Sequence, residues 1–387
     1  MLDMMIVTSY FASPFHSNRA PYNEQLVASL KSKANIRLIR PISWLDILKA
    51  QRGLDNRAYY RGRWNDIEIR YPTFYFIPRI GHSFSGQLYY WSIRKAFAEF
   101  KSIPDVFFAS WAYPDAYGVM KLAKRHSRPL VMSVLGSDIN VLAKRPDTGK
   151  QVKEVLDYAS AIYSPSNALS RCVVELGVAA DKVHTVYSGI DGRLFFARDK
   201  QACEGELGLE ANKKRLIYVG NFKVAKGVID FVKGIQKLAL ERRDFEALII
   251  GKGEDEALLR SAIADCGVSD IVRIVGEVNH HELNAWVNAS DCLCLPSYSE
   301  GLPNVVLEAL KTGTTVVATN VGGIPEAVRE PEKYLFEPGD INALSQRLGS
   351  ALFDPDYHTV AGFDIQSYDQ VADQILSLTK AAIARSG

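Results

Sequence analysis

The sequence has little of what would hold a small secreted or membrane-spanning chain together. It carries five cysteines in 387 residues, an odd number with no Cys-x-x-Cys pair, which argues against a disulfide framework and suits a reducing cytoplasm. No run reaches the roughly 18 apolar residues that a spanning helix needs. Met1–Val7 lack a basic n-region and their apolar run is short, so no signal peptide is expected. A P-loop lysine motif, a Gly-x-Ser-x-Gly elbow, a short-period repeat and a low-complexity linker are all missing. What is there is ordinary for a globular protein with a large core: 47% hydrophobic and 23% charged residues. Disorder and collagen are excluded, and the length predicts two domains.

The net charge of +2 conceals an asymmetry. Residues 1–195 hold 26 Lys and Arg against 16 Asp and Glu, whereas the remainder holds 20 against 28. The first half therefore faces something anionic, with nucleic acid and a membrane surface as the candidates. The excess concentrates in Leu48–Phe100, where Arg52, Arg57, Arg61, Arg63, Arg70, Arg79, Arg94 and Lys95 interleave with aromatics such as Tyr59, Tyr60, Trp64, Tyr71, Phe84, Tyr89 and Trp91. That mixture suits the headgroup level of a bilayer or a stacked polymer ligand. It equally suits a core of aromatics beneath a solvated basic face.

Short β-branched or aromatic runs alternate with stretches of helical period, which predicts repeated βα units and parallel sheets. Strands are expected near 4–9, 36–41, 67–71, 106–109, 130–134, 161–164 and 184–187. Helices are expected near 22–33, 85–101, 116–125, 150–158 and 167–176. The pattern restarts with strands near 215–219, 247–251, 272–275, 292–296 and 315–318. Turn-rich Ser188–Asp191 marks a boundary before a polar segment at 200–214. The expected organisation is 1–190, 191–365, and a last helix in 366–387 that packs back on the first domain. The fold class is α/β: two Rossmann-like, doubly wound domains facing across a cleft, with ligands at the carboxyl ends of the strands.

The strongest local signal is Pro296-Ser297-Tyr298-Ser299-Glu300-Gly301-Leu302-Pro303-Asn304-Val305-Val306-Leu307-Glu308-Ala309-Leu310. A buried strand ends in a polar loop, and Pro303 suits the first turn of a helix. The free amides of that turn, near 301–305, form an anion site for a diphosphate. Glu300 and Glu308, eight residues apart, would stand about 12 Å from one another along a helix. They could hold hydroxyls at both ends of a nucleotide sugar, or simply cap the helix and face solvent. Cys292 and Cys294 alternate on a strand and read as buried thiols. His280-His281 reads as a helix start at the surface, and Asp354-Pro355-Asp356 as a turn. No metal site is expected.

Glu300-Gly301-Leu302-Pro303-x4-Glu308-Ala309, followed by Gly313-Thr314-Thr315-Val316-Val317-Ala318-Thr319-x2-Gly322-Gly323-Ile324-Pro325-Glu326, resembles the donor-site signature of the family 4 retaining glycosyltransferases, two-domain enzymes of the GT-B fold. Val219-Gly220-Asn221-Phe222-x3-Lys226-Gly227, Ile250-Gly251-Lys252-Gly253-Glu254, Val275-Gly276-Glu277-Val278 and Tyr187-Ser188-Gly189-Ile190-Asp191 resemble weaker motifs of the same family. Trp111-Ala112-Tyr113-Pro114-Asp115 with Gly136-Ser137-Asp138-Ile139-Asn140 resembles a bacterial subgroup that makes surface polysaccharides, teichuronic-acid-type enzymes included.

The resemblance implies a metal-independent transfer from a nucleotide diphosphate donor, UDP-sugar being favoured, with no further cofactor. Glu300 would bind the donor sugar and stabilise the reacting centre, and Gly301, Leu302, Pro303, Asn304 and Val305 would line the sugar and diphosphate. Glu308 would take the ribose, and Lys226 would neutralise the leaving diphosphate. Asn221, Lys223, Gly253 and Val278 would complete the donor site, and Asp138 or Asp115 would act on the acceptor side. The chain departs from the family pattern at Asn221, where Arg is usual and Lys223 could substitute. It departs again at Ser110 and Leu135, where histidines are common, and at Asn18–Tyr22, which lacks Gly-Gly. The alternatives are a sugar-nucleotide-binding subunit without catalysis and a nucleotide-sugar epimerase of the same fold. The basic aromatic segment and the family's acceptor placement together imply a cytoplasmic, peripheral enzyme. Its acceptor would be a glycan or a lipid-linked glycan at an anionic membrane. Nucleic acid fits the charge but not the donor motif.

Overall fold

In the computed structural model of the chain, residues 1–15, 21–50, 60–77 and 81–386 are described. Arg52, Arg57, Tyr59, Arg79 and most of the Asn18–Tyr22 stretch lie outside the described residues. The chain divides into two compact units, Met1–Gly189 with Tyr368–Gly387, and Ile190–Ser367.

The first unit is built on strands β1 (Asp3–Val7), β2 (Asn35–Ile39), β3 (Ile42–Ser43), β4 (Arg61–Trp64), β5 (Ile67–Arg70), β6 (Thr73–Phe74), β7 (Val106–Ser110), β8 (Leu130–Ser133), β9 (Ala161–Ser164) and β10 (Val183–Thr185). Eight of them form one sheet in the order β10-β9-β8-β7-β1-β2-β5-β4. Its central strands β1, β7, β8 and β9 are near-continuous apolar runs because both faces are covered. Met5, Val7, Phe107 and Ala109 enter one core, and their neighbours Met4, Ile6, Val106 and Phe108 enter the other. The second core is closed by helix Tyr368–Ser386, which contributes Val371, Ala372, Ile375 and Leu376, and Tyr163 Oη lies 2.8 Å from Thr379 Oγ1.

Three strands of this unit, β3, β4 and β6, were not expected from the sequence. β4 pairs antiparallel with β5 through Asn65 and Asp66, both at positive φ, 43° and 64°. Two left-handed residues make the tight hairpin turn that Asn and Asp tolerate without a glycine.

The second unit carries β11 (Lys214–Val219), β12 (Phe245–Ile250), β13 (Val272–Gly276), β14 (Cys292–Leu295), β15 (Thr315–Thr319) and β16 (Leu335–Phe336). They form one parallel sheet in the order β13-β12-β11-β14-β15-β16. Cys292 and Cys294 are fully buried, and burial pushes both thiols up, as structural cysteines require. The polar segment at 200–214 is more than a linker. It contains helix Lys200–Glu206, clasped to the sheet by the buried Arg215 guanidinium, which reaches Glu204 at 2.5 Å and Glu246 at 2.9 Å.

Candidate functional site

In the second unit the strand order reverses between β11 and β14: the chain runs outward from β11 to β12 on one side and to β14 on the other. The carboxyl ends at such a reversal leave a crevice where ligands bind in open α/β sheets. Two loops leave those ends, Gly220–Gly227 and Pro296–Pro303. They are pressed together at Gly227, whose φ is 69° and where a Cβ would stand 1.9 Å from the Pro296 carbonyl oxygen, so only glycine fits. The Tyr298 amide donates to the Ala225 carbonyl at 3.0 Å.

This closure brings Lys226 and Glu300 into contact. Lys226 Nζ donates to Glu300 Oε1 at 2.8 Å and to Oε2 at 2.9 Å. The glutamate side chain is 11% exposed and the lysine 32%. Beyond Glu300, the Gly301 carbonyl accepts from the Gly323 amide, which holds the loop against the turn after β15. Leu302 is buried, while Asn304 and Val305 are partly exposed.

Pro303 does not occupy the first turn as expected. It is the N-cap, at φ −74° and ψ 126°, and the helix runs Asn304–Thr312. Val306 donates to the Pro303 carbonyl at 3.1 Å. The amides of Asn304 and Val305 are left without intrahelical partners, so the anion-binding character of the turn survives the one-residue shift. Within the helix Glu308 is 6% exposed, and His280 Nε2 stands 2.9 Å from its Oε1. His280 opens helix His280–Asn288 and packs its ring on Phe195, with centroids 5.0 Å apart. It is therefore a partner of the buried carboxylate, a correction of its reading as a surface cap. The only available signal was the carboxylate itself, which needs a donor when buried.

The remaining expected donor-site residues occupy loops at the same sheet edge. Asn221 is exposed, and its carbonyl accepts from Tyr218 Oη at 3.0 Å. Lys223 pairs at 2.9 Å with Glu254, both largely exposed. Gly253 lies against the same loop, where a Cβ would come within 2.2 Å of the Phe222 carbonyl oxygen. Val278 follows β13 and is partly exposed.

In the first unit the order reverses around β1, which lies between β2 and β7. Asp115 is buried there and accepts from the Ser9 amide at 2.6 Å and Ser9 Oγ at 3.1 Å. Burial pushes its carboxyl up to about 7 against these hydrogen bonds. Asp138 is fully buried, and its two oxygens accept from the amides of Ala112, Leu135 and Gly136 at 3.0, 3.1 and 2.9 Å. These bonds tie the loop after β7 to the loop after β8. Ser110 closes β7 and is buried, while Leu135 is partly exposed.

Among the described residues, the basic aromatic segment does not make one face. Tyr71 and Tyr89 are core residues, and Arg70 is buried against Glu68 and Glu99. Arg61 pairs with Glu99 at 2.9 Å and Arg63 with Asp66 at 4.0 Å. Exposed apolar side chains lie instead on helix His82–Phe97 and just before it: Phe84 at 69%, Trp91 at 57%, and Tyr75 and Ile77. Among the described residues no helix is long and apolar enough to cross a membrane.

Two family models match the chain: "Glycosyltransferase Family 4" over residues 50–193 and "Glycosyl transferases group 1" over residues 199–362. N-acetyl-alpha-D-glucosaminyl L-malate synthase of Bacillus anthracis is 30% identical over 235 residues, 60% of this chain and 61% of that protein. The putative teichuronic acid biosynthesis glycosyltransferase TuaC of Bacillus subtilis is 27% identical over 248 residues, 63% of this chain and 60% of that protein. The chain thus spans about 60% of the length of these curated relatives. The Anabaena protein HepE, solved in complex with UDP, superposes with a TM-score of 0.76 at 16% identity, covering 98% of this chain and 100% of that one, a likeness of fold.

Proposed function

The chain belongs to the family 4 glycosyltransferases of the GT-B fold, and on that premise we propose that it is a retaining, metal-independent glycosyltransferase that moves a sugar from a nucleoside diphosphate donor, UDP being the favoured nucleotide, to a lipid-linked glycan acceptor. The observation that carries this reading is the Lys226–Glu300 pair at the sheet reversal, beside the helix start that carries Glu308. One point there offers a cation for the diphosphate, a carboxylate for sugar hydroxyls and two unpaired amides for phosphate oxygens. The UDP bound by HepE supports the choice of nucleotide. In the reaction the bond from the anomeric carbon to the diphosphate oxygen breaks as the bond to the acceptor oxygen forms on the same face. The departing diphosphate takes the acceptor's proton. Lys226 and the amides of Asn304 and Val305 stabilise the charge that develops on that diphosphate. Glu300 orients the sugar, Glu308 holds the ribose, and Asp138 positions the acceptor-side loops without touching substrate.

The acceptor reading draws on the first unit. Its charge excess and the exposed Phe84–Trp91 face, flanked by Arg94 and Lys95, suit an anionic bilayer surface, so the enzyme would act peripherally on the cytoplasmic leaflet. The test is a panel of UDP-, GDP- and ADP-sugars assayed for slow release of the nucleoside diphosphate in the presence of EDTA. Release supports a transferase. An epimeric donor would mark an epimerase, no turnover with tight binding a non-catalytic subunit, and loss of activity restored by Mg²⁺ or Mn²⁺ would remove metal independence.

A further inference from the structure

A carboxylate as buried as Glu308 is costly unless something donates to it. Among the described residues, His280 is the one side-chain hydrogen-bond partner of Glu308. A carboxylate only accepts, so Nε2 of His280 carries the hydrogen in this contact. The histidine is itself fixed, as the first residue of its helix and by its ring contact with Phe195 at 58° between planes. Neither residue is near the other in sequence: 28 positions separate them, and they stand on different helices with strand β14 between.

We propose that His280 is a positioning residue of the donor site. By donating Nε2–H to Oε1 it fixes the plane of the Glu308 carboxylate and leaves Oε2 to accept from the vicinal hydroxyls of a nucleoside diphosphate. The proposal rests on the assignment of Glu308 to the ribose. It deepens that assignment by making recognition of the 2′-hydroxyl depend on a residue that touches no substrate. A carboxylate free to rotate would meet the diol in several poses; one locked by an imidazole meets it in one.

The experiment measures binding of UDP and 2′-deoxy-UDP by calorimetry to the full chain and to H280A, H280Q and E308A, with thermal melts of each and the KM and kcat of donor hydrolysis. UDP affinity is expected to fall about tenfold or more in E308A and by a similar order in H280A, the scale of a hydrogen bond to a charged group. H280Q, whose amide nitrogen reaches the same oxygen, recovers most of the loss. In H280A the rise appears in KM rather than kcat, and the preference for UDP over 2′-deoxy-UDP disappears. UDP binding unchanged in E308A would overturn the ribose assignment itself. Weakened binding in E308A with unchanged binding in H280A would overturn the proposal alone. So would equal losses for UDP and 2′-deoxy-UDP in H280A and H280Q with lowered melting temperatures, because that pattern belongs to a packing role.

Discussion

Lys226 and Glu300 lie 74 residues apart in the chain and are joined by two hydrogen bonds. Removing either partner therefore does more than delete a side chain. Glu300→Ala leaves Lys226 unshared, so UDP affinity should hold or rise while turnover falls by a large factor. Lys226→Ala leaves a nearly buried carboxylate unpaired where the diphosphate must sit, and should be close to inactive; Lys226→Arg should retain part of the rate because the charge is kept. Steady-state rates beside UDP calorimetry check both, and a parallel loss of UDP affinity in Glu300→Ala and Glu308→Ala would contradict the division of roles. Asp115 permits a second test. Burial holds its folded carboxyl near 7 against an ordinary 3.8, so the folded chain keeps a proton that the unfolded chain releases. Stability must then fall as pH rises from about 4 to 7, by at most about 1.4 kcal/mol per unit for one proton. Asp115→Asn removes that slope, which urea unfolding at pH 5 and pH 8 would show; equal pH dependence in both proteins would contradict it. At this scale the motif made Glu300, Glu308 and Lys226 legible as candidates. The pairings of Lys226 with Glu300 and His280 with Glu308 were not legible, because sequence spacing carries no information about which loops a parallel sheet brings together.

The longer parallel strands could be read from their continuous apolar runs, and their observed bounds fall within a few residues of those expected. What escaped were the two-residue strands β3, β6 and β16, too short to show a period, and elements whose residues are polar or whose turns use unusual chemistry. β4 reads Arg-Gly-Arg-Trp and turns through Asn65-Asp66. Helix Lys200–Glu206 is tied down by an arginine that looks solvated in sequence but is fully buried. The same effect redirects the membrane reading. Arg61 and Arg63, expected to face an anionic surface, are partnered by acidic neighbours, whereas helix His82–Phe97 presents Phe84 and Trp91 seven residues apart, two turns along one face. We therefore expect Phe84→Ser with Trp91→Ala to reduce co-sedimentation with anionic vesicles several-fold, and Arg61→Ala with Arg63→Ala to reduce it less. Both should leave donor hydrolysis unchanged. Binding should collapse at 1 M salt, where screening shortens to about 3 Å. Equal binding to neutral and anionic vesicles, or none to either, would leave a soluble acceptor as the better reading.

Across the whole chain, two Rossmann-like sheets present different residues on their loops. The first unit closes with the last helix of the chain, so residues 368–386 belong to the fold of the first 189. The second unit concentrates its donor-site candidates on loops at the carboxyl edge of one sheet, around the place where strand order reverses. The proposed reaction is transfer from a nucleoside diphosphate sugar with retention at the anomeric carbon, supported by Glu300 and Lys226. The most direct measurement is proton NMR of the sugar released during slow hydrolysis of an α-linked UDP-sugar, recorded before mutarotation, for the wild type and Glu300→Ala. The α-anomer is expected to appear first in the wild type, and release should nearly stop in the variant. The β-anomer appearing first, or equal release by both proteins, would contradict it.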